Sequence, residues 1–204
     1  TLCMVIISTI VSYIIGIPLG IILVVTDKEG IRPIPALQKV LGLIINLLRS
    51  VPFLILLIMM IPVTRKLVGT SLGWKAVVPP LVASAAPYIA RMVESSFKEI
   101  DAGVIEAAKS MGASTFQIIW KVLLPESKPS LLIGAAISTT TILGYSAMAG
   151  AVGGGGLGGI AINYGYYRYE TDIMLVTVAI LVIIVQIIQE IGMRLARKSD
   201  KRIR

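Results

Sequence analysis

A helix that crosses a bilayer needs about 20 mostly apolar residues, and this chain supplies five such stretches. Leu2–Val25 runs without a charge until Thr26-Asp27-Lys28-Glu29-Gly30. The second, 35–63, is interrupted by Arg49 and Pro52; the third, 76–93, is alanine-rich and holds Pro79, Pro80 and Pro87. The fourth, 131–151, carries Ser138-Thr139-Thr140-Thr141 at its middle, and the fifth, 173–193, is the most uniformly apolar. Isolated strands cannot satisfy their backbone in hydrocarbon, so each stretch reads as a helix. The expected fold is all-α, a polytopic membrane protein with five transmembrane helices in one domain over 1–204. The first stretch is longer than the apolar core of a secretory signal and lacks a small-residue cleavage site, so it is read as a retained helix. The sequence opens on Thr1 rather than methionine, and the first helix is expected to begin upstream of it.

Composition agrees and removes whole classes of chemistry. Hydrophobic residues make up 56% and charged residues 15%, with a mean hydropathy of +0.89, whereas soluble domains are about a quarter charged. With no histidine, His-ligated zinc and His-based acid–base catalysis are excluded. The lone Cys3 can form neither an internal disulfide nor a cysteine cluster, and no enzymatic role is expected. A net charge of +8 suits nucleic acid or the basic cytoplasmic side of a membrane protein. Of the 19 Lys and Arg, fourteen fall on one side of the spans, ending in Arg194, Arg197, Lys198, Lys201, Arg202 and Arg204, and four on the other. That asymmetry places the amino terminus outside and the carboxyl terminus in the cytoplasm, and explains the charge without nucleic acid.

The loop between the third and fourth stretches is too polar for lipid yet strongly patterned. Val104, Ala108 and Met111 recur at helical spacing, and Gly112 ends that helix as glycine does past a helix terminus. Ser114 and Gln117 form an S-x-x-Q capping box that starts a second short helix carrying Phe116, Ile119, Trp120 and Leu123, closed by Pro125. From pattern alone, this helix pair over 101–125 either docks on a partner or rests on the lipid surface.

Glu106-Ala107-Ala108, three residues, Gly112, nine residues, then Val122-Leu123-Leu124-Pro125 resembles the EAA loop of importer-type ABC permeases, with Val122 in place of isoleucine. The resemblance implies a coupling-helix pair that docks into a cleft of a cytoplasmic ATPase subunit through Glu106, Ala107, Ala108, Gly112, Leu124 and Pro125. In that role the two alanines allow close approach and Gly112 sets the angle between the helices. Glu106 either pairs with a basic group across the joint or is an early-turn carboxylate favoured by the helix dipole. Further segments, among them Leu48-Arg49-Ser50-Val51-Pro52-Phe53, Ala90-Arg91-Met92-Val93-Glu94 and Gly144-Tyr145-Ser146-Ala147-Met148, are similar to the methionine-uptake branch of that family. This implies a homodimer with two ABC ATPase subunits, which bind the ATP and Mg, and an external methionine-binding lipoprotein. No cofactor is then expected in this chain.

Arg49 is the costliest residue in any span. It lies ten residues past Lys39, some 15 Å in at about 1.5 Å each, where a charge costs roughly 2.5 to 3.5 kcal/mol on insertion scales. Three readings stand open: it attracts a solute carboxylate or braces a gate; it pairs with Glu190 or with carbonyls freed at Pro52; or 35–46 extends into the cytoplasm and leaves it near the interface. With it go Ser50 and Pro52 as pathway candidates. On the fourth span the candidates are Ser138, Tyr145, Ser146 and Met148, the methionine being either a movable seal or core.

Gly154, Gly156 and Gly159 make a formal G-x-G-x-x-G match, but no strand precedes it, no βαβ unit exists and no Gly-Lys pair supplies a Walker lysine. These glycines are read as a tight external loop or a re-entrant turn, followed by an aromatic belt of Tyr164, Tyr166, Tyr167 and Tyr169. The functional expectation is a permease that works by alternating access. A permease for another amino acid or small solute is the near alternative, and a passive channel or a membrane assembly factor the distant ones.

Overall fold

The computed structural model describes residues 1–200, in which every regular element is a helix. Lys201, Arg202 and Arg204 of the basic tail lie outside the described residues. The bundle is organised by α1 (Leu2–Val25) and α5 (Trp74–Lys98), which pack along their lengths. Ser8, Ser12, Gly16 and Gly20 recur every fourth residue on α1 and all are buried. A Cβ at Gly16 would stand 2.7 Å from Ile89 Cγ2, and one at Gly20 2.7 Å from the Ala90 carbonyl. In hydrocarbon, helices associate by close packing rather than by escaping water, so this small-residue stripe brings the two backbones together. Ile89, Ala90 and Val93 of α5 are fully buried beneath it.

Pro79, Pro80 and Pro87 lie inside α5 without breaking it, because α1, α2 and α9 flank the helix and neighbouring helices support a proline-weakened ladder. Pro52 has the opposite outcome. The second apolar stretch is not one rod: α2 (Pro35–Ser50) and α3 (Phe53–Met59) meet at 98°, and α4 (Ile61–Val68) begins before the stretch ends. Val51 is extended (φ −81°, ψ 123°), the conformation that a following proline imposes. The expected single span over 35–63 is therefore a bent pair, and four helical runs are long and apolar enough to cross a membrane, five if this pair counts as one.

After α5 come α6 (Ala102–Ser110), α7 (Thr115–Ile118), a wide π turn (Ile119–Leu123), α8 (Leu124–Glu126) and α9 (Lys128–Met148). A 3-10 turn (Ala149–Val152), α10 (Gly156–Ile160) and a second π turn (Ala161–Tyr166) lead to α11 (Thr171–Ser199). The third and fifth spans are longer than expected, and Arg91 and Lys98, two of the fourteen basic residues assigned to one side of the spans, sit within α5. The bundle has two ends. At one, the Leu157 N–H donates to Thr1 Oγ1 at 2.7 Å and the Gly73 N–H to the Gly153 carbonyl at 2.9 Å. At the other, Asp27, Lys98 and the α6–α8 hairpin gather. Only Thr177 and Ala196 of α11 are buried, which leaves most of its apolar surface on the outside of the protomer.

Candidate functional site

The hairpin is built from local signals and fixed to α5 by three residues. Ile100 is buried, and the Asp101 carboxylate accepts from the Gly103 N–H at 2.7 Å, an N-cap for α6 that the sequence reading missed although an Asp two residues before Gly103 offered it. Gly112 turns the chain at φ +78°, with no atom within 4 Å of where a Cβ would stand. Both halves of the expected capping box form: Ser114 Oγ accepts from the Gln117 N–H at 3.3 Å, and the Ser114 N–H donates to Gln117 Oε1 at 2.8 Å.

The expected face of α6 splits. Ala108 is buried at 4%, but Val104 is 44% and Met111 81% exposed; Ile105, Ala108, Ile118 and Leu123 pack inward with Phe97 and Ile100 instead. Facing outward on the second arm are Phe116 and Trp120, 71% and 63% exposed, with rings stacked at 6.2 Å between centroids. Ala107 and Glu106 are exposed. Glu106 lies in the second turn of α6, not the first, and among the described residues it makes no ion pair. Leu124 is half-buried and Pro125 exposed. Pro125 does not end the unit as expected: it sits in the first turn of α8, and helix continues into α9 after Ser127. Having no N–H to give the Lys121 carbonyl, it follows a stretch whose ladder widens to π spacing.

Beside the hairpin lies a charge network that the sequence reading did not assemble. Glu94, 9% exposed at its side chain, accepts from Arg91 at 2.6 Å and Lys98 at 3.0 Å. Arg91 also donates to the Gly42 carbonyl at 3.1 Å and Asn46 Oδ1 at 2.9 Å on α2, and Lys98 reaches Asp27 past the end of α1 at 2.7 Å. Spacings of three and four between Arg91, Glu94 and Lys98 were a legible helical signal; the partners on α2 and after α1 were not. The Lys98 hydrogen bond holds the Asp27 carboxyl below the ordinary carboxylate range, against a smaller upward push from burial.

The pathway candidates divide between the α2–α3 break and the far half of α9. Arg49 lies in the last turn of α2, its guanidinium 5.9 Å from the Tyr88 ring of α5, and Glu190 pairs with Arg194 rather than with it. Tyr88 is ten residues before Lys98, about 15 Å along α5 at 1.5 Å per residue. Ser50 donates back to the Asn46 carbonyl at 2.8 Å. Just beyond Pro52, Phe53 stacks on Tyr145 at 4.6 Å, so α9 meets α3 there. Ser146 is buried and bonds back to the Leu143 carbonyl at 2.7 Å, whereas Met148 is 52% exposed and not packed in the core of this protomer. Ser138 is fully buried and shares a 2.9 Å hydrogen bond with Tyr13 of α1; Thr139, Thr140 and Thr141 satisfy themselves on carbonyls of their own helix. Ser138 thus ties α9 to α1, and does not join the group around Tyr145.

At the opposite end the glycine run folds α10 back onto α9. Gly150 and Gly158 are there because a Cβ on either would stand within 2.3 Å of backbone, and Gly153, Gly155 and Gly156 take positive φ. This is tight backbone packing, as the absence of any strand before it leads one to expect. Tyr164, Tyr166, Tyr167 and Tyr169 are all exposed, with Arg168 4.6 Å over the Tyr164 ring.

The family described as binding-protein-dependent transport system inner membrane component matches residues 16–204. The chain is 51% identical over 202 residues to the probable D-methionine transport system permease protein of Vibrio cholerae, covering 99% of this chain and 90% of that one. It is 45% identical over 181 residues to the methionine import system permease protein of Bacillus subtilis, or 89% of this chain and 82% of that protein. A chain of the MetNI methionine ABC transporter, crystallised in inward-facing conformations, superposes with a TM-score of 0.97 at 46% identity, covering 98% of this chain and 93% of that one. An amino acid ABC transporter at 19% identity shares the fold with a TM-score of 0.75. The chain is a multi-pass membrane permease and belongs to the family of binding-protein-dependent transport system inner membrane components.

Proposed function

We propose that this chain is the permease subunit of an ATP-driven methionine importer, acting as two copies with two cytoplasmic ABC ATPase subunits and an external methionine-binding lipoprotein. The observation that carries the reading is the exposed Phe116–Trp120 pair on a hairpin fixed to the end of α5. Two large rings outside the membrane-spanning runs, backed by a packed apolar floor, suit a protein partner whose pocket desolvates them. The relatives named for methionine import supply the substrate. The apolar sides of α11 face lipid and the second copy. The basic asymmetry orients the chain with its amino terminus outside and its carboxyl terminus in the cytoplasm, on the same side as the hairpin.

In this reading ATP and Mg are bound by the partner ATPase, and the permease contributes no chemistry of its own. Closure of the two ATPase subunits draws the hairpins together; each moves with α5, and the bundle rocks between inward-open and outward-open states. Solute passes between the copies along surfaces that include Arg49, Ser50, Pro52, Tyr145 and Met148, with Met148 the candidate seal, while Ser138 and Ser146 are buried inside each copy. Proteoliposomes holding the permease, its ATPase and the binding protein should take up labelled methionine only with ATP inside the nucleotide compartment, and methionine-loaded binding protein should stimulate hydrolysis. Stimulation by another amino acid alone would move the substrate, and an ohmic current without ATP would make the chain a channel.

A further inference from the structure

We propose that Glu94 is a positioning residue for transport: through Arg91 and Lys98 it fastens α2 and the end of α1 to α5, so that a displacement of the hairpin arrives at the α2–α3 break undiminished. This rests on the reading of the hairpin as the point where the ATPase acts.

The argument starts from how weakly α2 is held otherwise. Of its residues only Gly42 and Ile45 are buried, and Leu43, Leu47 and Leu48 face out of the protomer. Its polar attachment is the Arg91 guanidinium, which spans one turn of α2 by bonding both the Gly42 carbonyl and Asn46 Oδ1. Gly42 makes room for this, since a Cβ there would lie 3.1 Å from Arg91 Nη2. Glu94, the more deeply buried partner, needs a counter-charge, and the partly buried Arg91 guanidinium supplies it at 2.6 Å. The second oxygen of the same carboxylate takes Lys98, which reaches on to Asp27. One buried acid therefore holds two cations, and each cation grips a different element. Lys98 is three residues from Asp101, the cap of α6, so the node sits where hairpin movement enters the bundle. Less than one turn past Asn46, Arg49 lies over Tyr88 of the same α5, next to Pro52 and the 98° bend. Held to α5 from Gly42 to Arg49, the half of α2 that leads into the bend moves with it as one body.

The test uses the complete complex with its ATPase and binding protein, in a Cys3→Ser background with spin labels at the exposed positions 43 and 95. In the otherwise native complex the distance between labels of one protomer should be the same in the nucleotide-free and the vanadate-trapped states. Glu94→Gln should broaden that distance and lower uptake per ATP hydrolysed by about tenfold, the ratio that corresponds to losing roughly 1.4 kcal/mol of coupling. Glu94→Asp should recover part of it. Should Glu94→Gln fail to assemble, Asn46→Ala, which removes one tether without stranding a charge, should still broaden the distance and lower the uptake-to-hydrolysis ratio at an unchanged protein level. A native distance that shifts between the two states, or variants with native distance and native ratio, would overturn the proposal. If the native complex showed no ATP-driven methionine uptake, the underlying reading would fail instead.

Discussion

Gly112 offers the cleanest perturbation of the hairpin. Its φ of +78° is left-handed, and a Cβ there would meet no atom within 4 Å, so a substitution acts on backbone conformation alone. Placing an L-residue in the left-handed region costs about 1–2 kcal/mol, more for a β-branched one, while Asn tolerates it. The hairpin otherwise keeps its Asp101 cap, its capping box and its packed floor of Ile105, Ala108, Ile118 and Leu123, so that strain is expected to open the joint without unfolding the spans. A cost of one to two kcal/mol shifts a two-state population by a factor of roughly 5 to 30. Gly112→Val should accordingly reduce ATP-driven uptake in proteoliposomes by about that factor at equal protein level and equal melting temperature. Gly112→Asn should stay within about twofold of native, because its side chain accommodates the turn. Native uptake by Gly112→Val, or equal damage from Val and Asn, would refute the claim that the angle at this glycine sets the geometry of docking.

Other perturbations separate the roles of neighbouring residues. Trp120→Ala should weaken association with the ATPase by about thirtyfold, the ratio of a hot-spot loss near 2 kcal/mol, and leave the thermal stability of the isolated permease unchanged, as read by co-purification and unfolding scans. Ala108→Trp should do the reverse and lower the melting temperature of the permease itself, because Ala108 is buried in its own chain while Ala107 is exposed. Arg49→Ala should reduce uptake more than membrane abundance, since its partner is a ring face and not a counter-charge whose loss would strand a second ion; equal losses would assign it a packing role. For Asp27 the sign follows from its lowered pKa. Its tie to Lys98 is complete at pH values above the usual carboxylate range, about 4, and is lost only as pH falls through the depressed value. Hydrogen exchange in 26–31 should stay slow down to about that pH and then rise, and Asp27→Asn should make it fast throughout.

Much of this was legible in the sequence, and the exceptions share a cause. Uncharged runs set the spans, because a bilayer accepts almost nothing else of that length, and the joint of the hairpin was written in Gly112, Ser114 and Gln117. Proline was the ambiguous signal. Pro52 ends a helix and Pro87 does not; the residues are the same, and what differs is that α5 is enclosed by neighbours while α2 and α3 lie at the edge. Enclosure is a tertiary fact that no local pattern contains. The i, i+4 and i+7 stripe from α6 failed for a related reason, since Val104 and Met111 are exposed and only Ala108 turns into the chain's own core. The small-residue stripe from Ser8 to Gly20 was visible at a spacing of four and went unread, and a third span ended at Val93 left Glu94 and Lys98 outside the helix that carries them.

The account stands on the hairpin being the place where the ATPase pushes. A photo-activated phenylalanine analogue in place of Phe116, in the reconstituted complex with purified ATPase and binding protein, measures this directly. The crosslink should join the permease to the ATPase subunit in every nucleotide state, at a site lining one cleft of that subunit. Capture of lipid alone, with the complex still importing methionine, would contradict it.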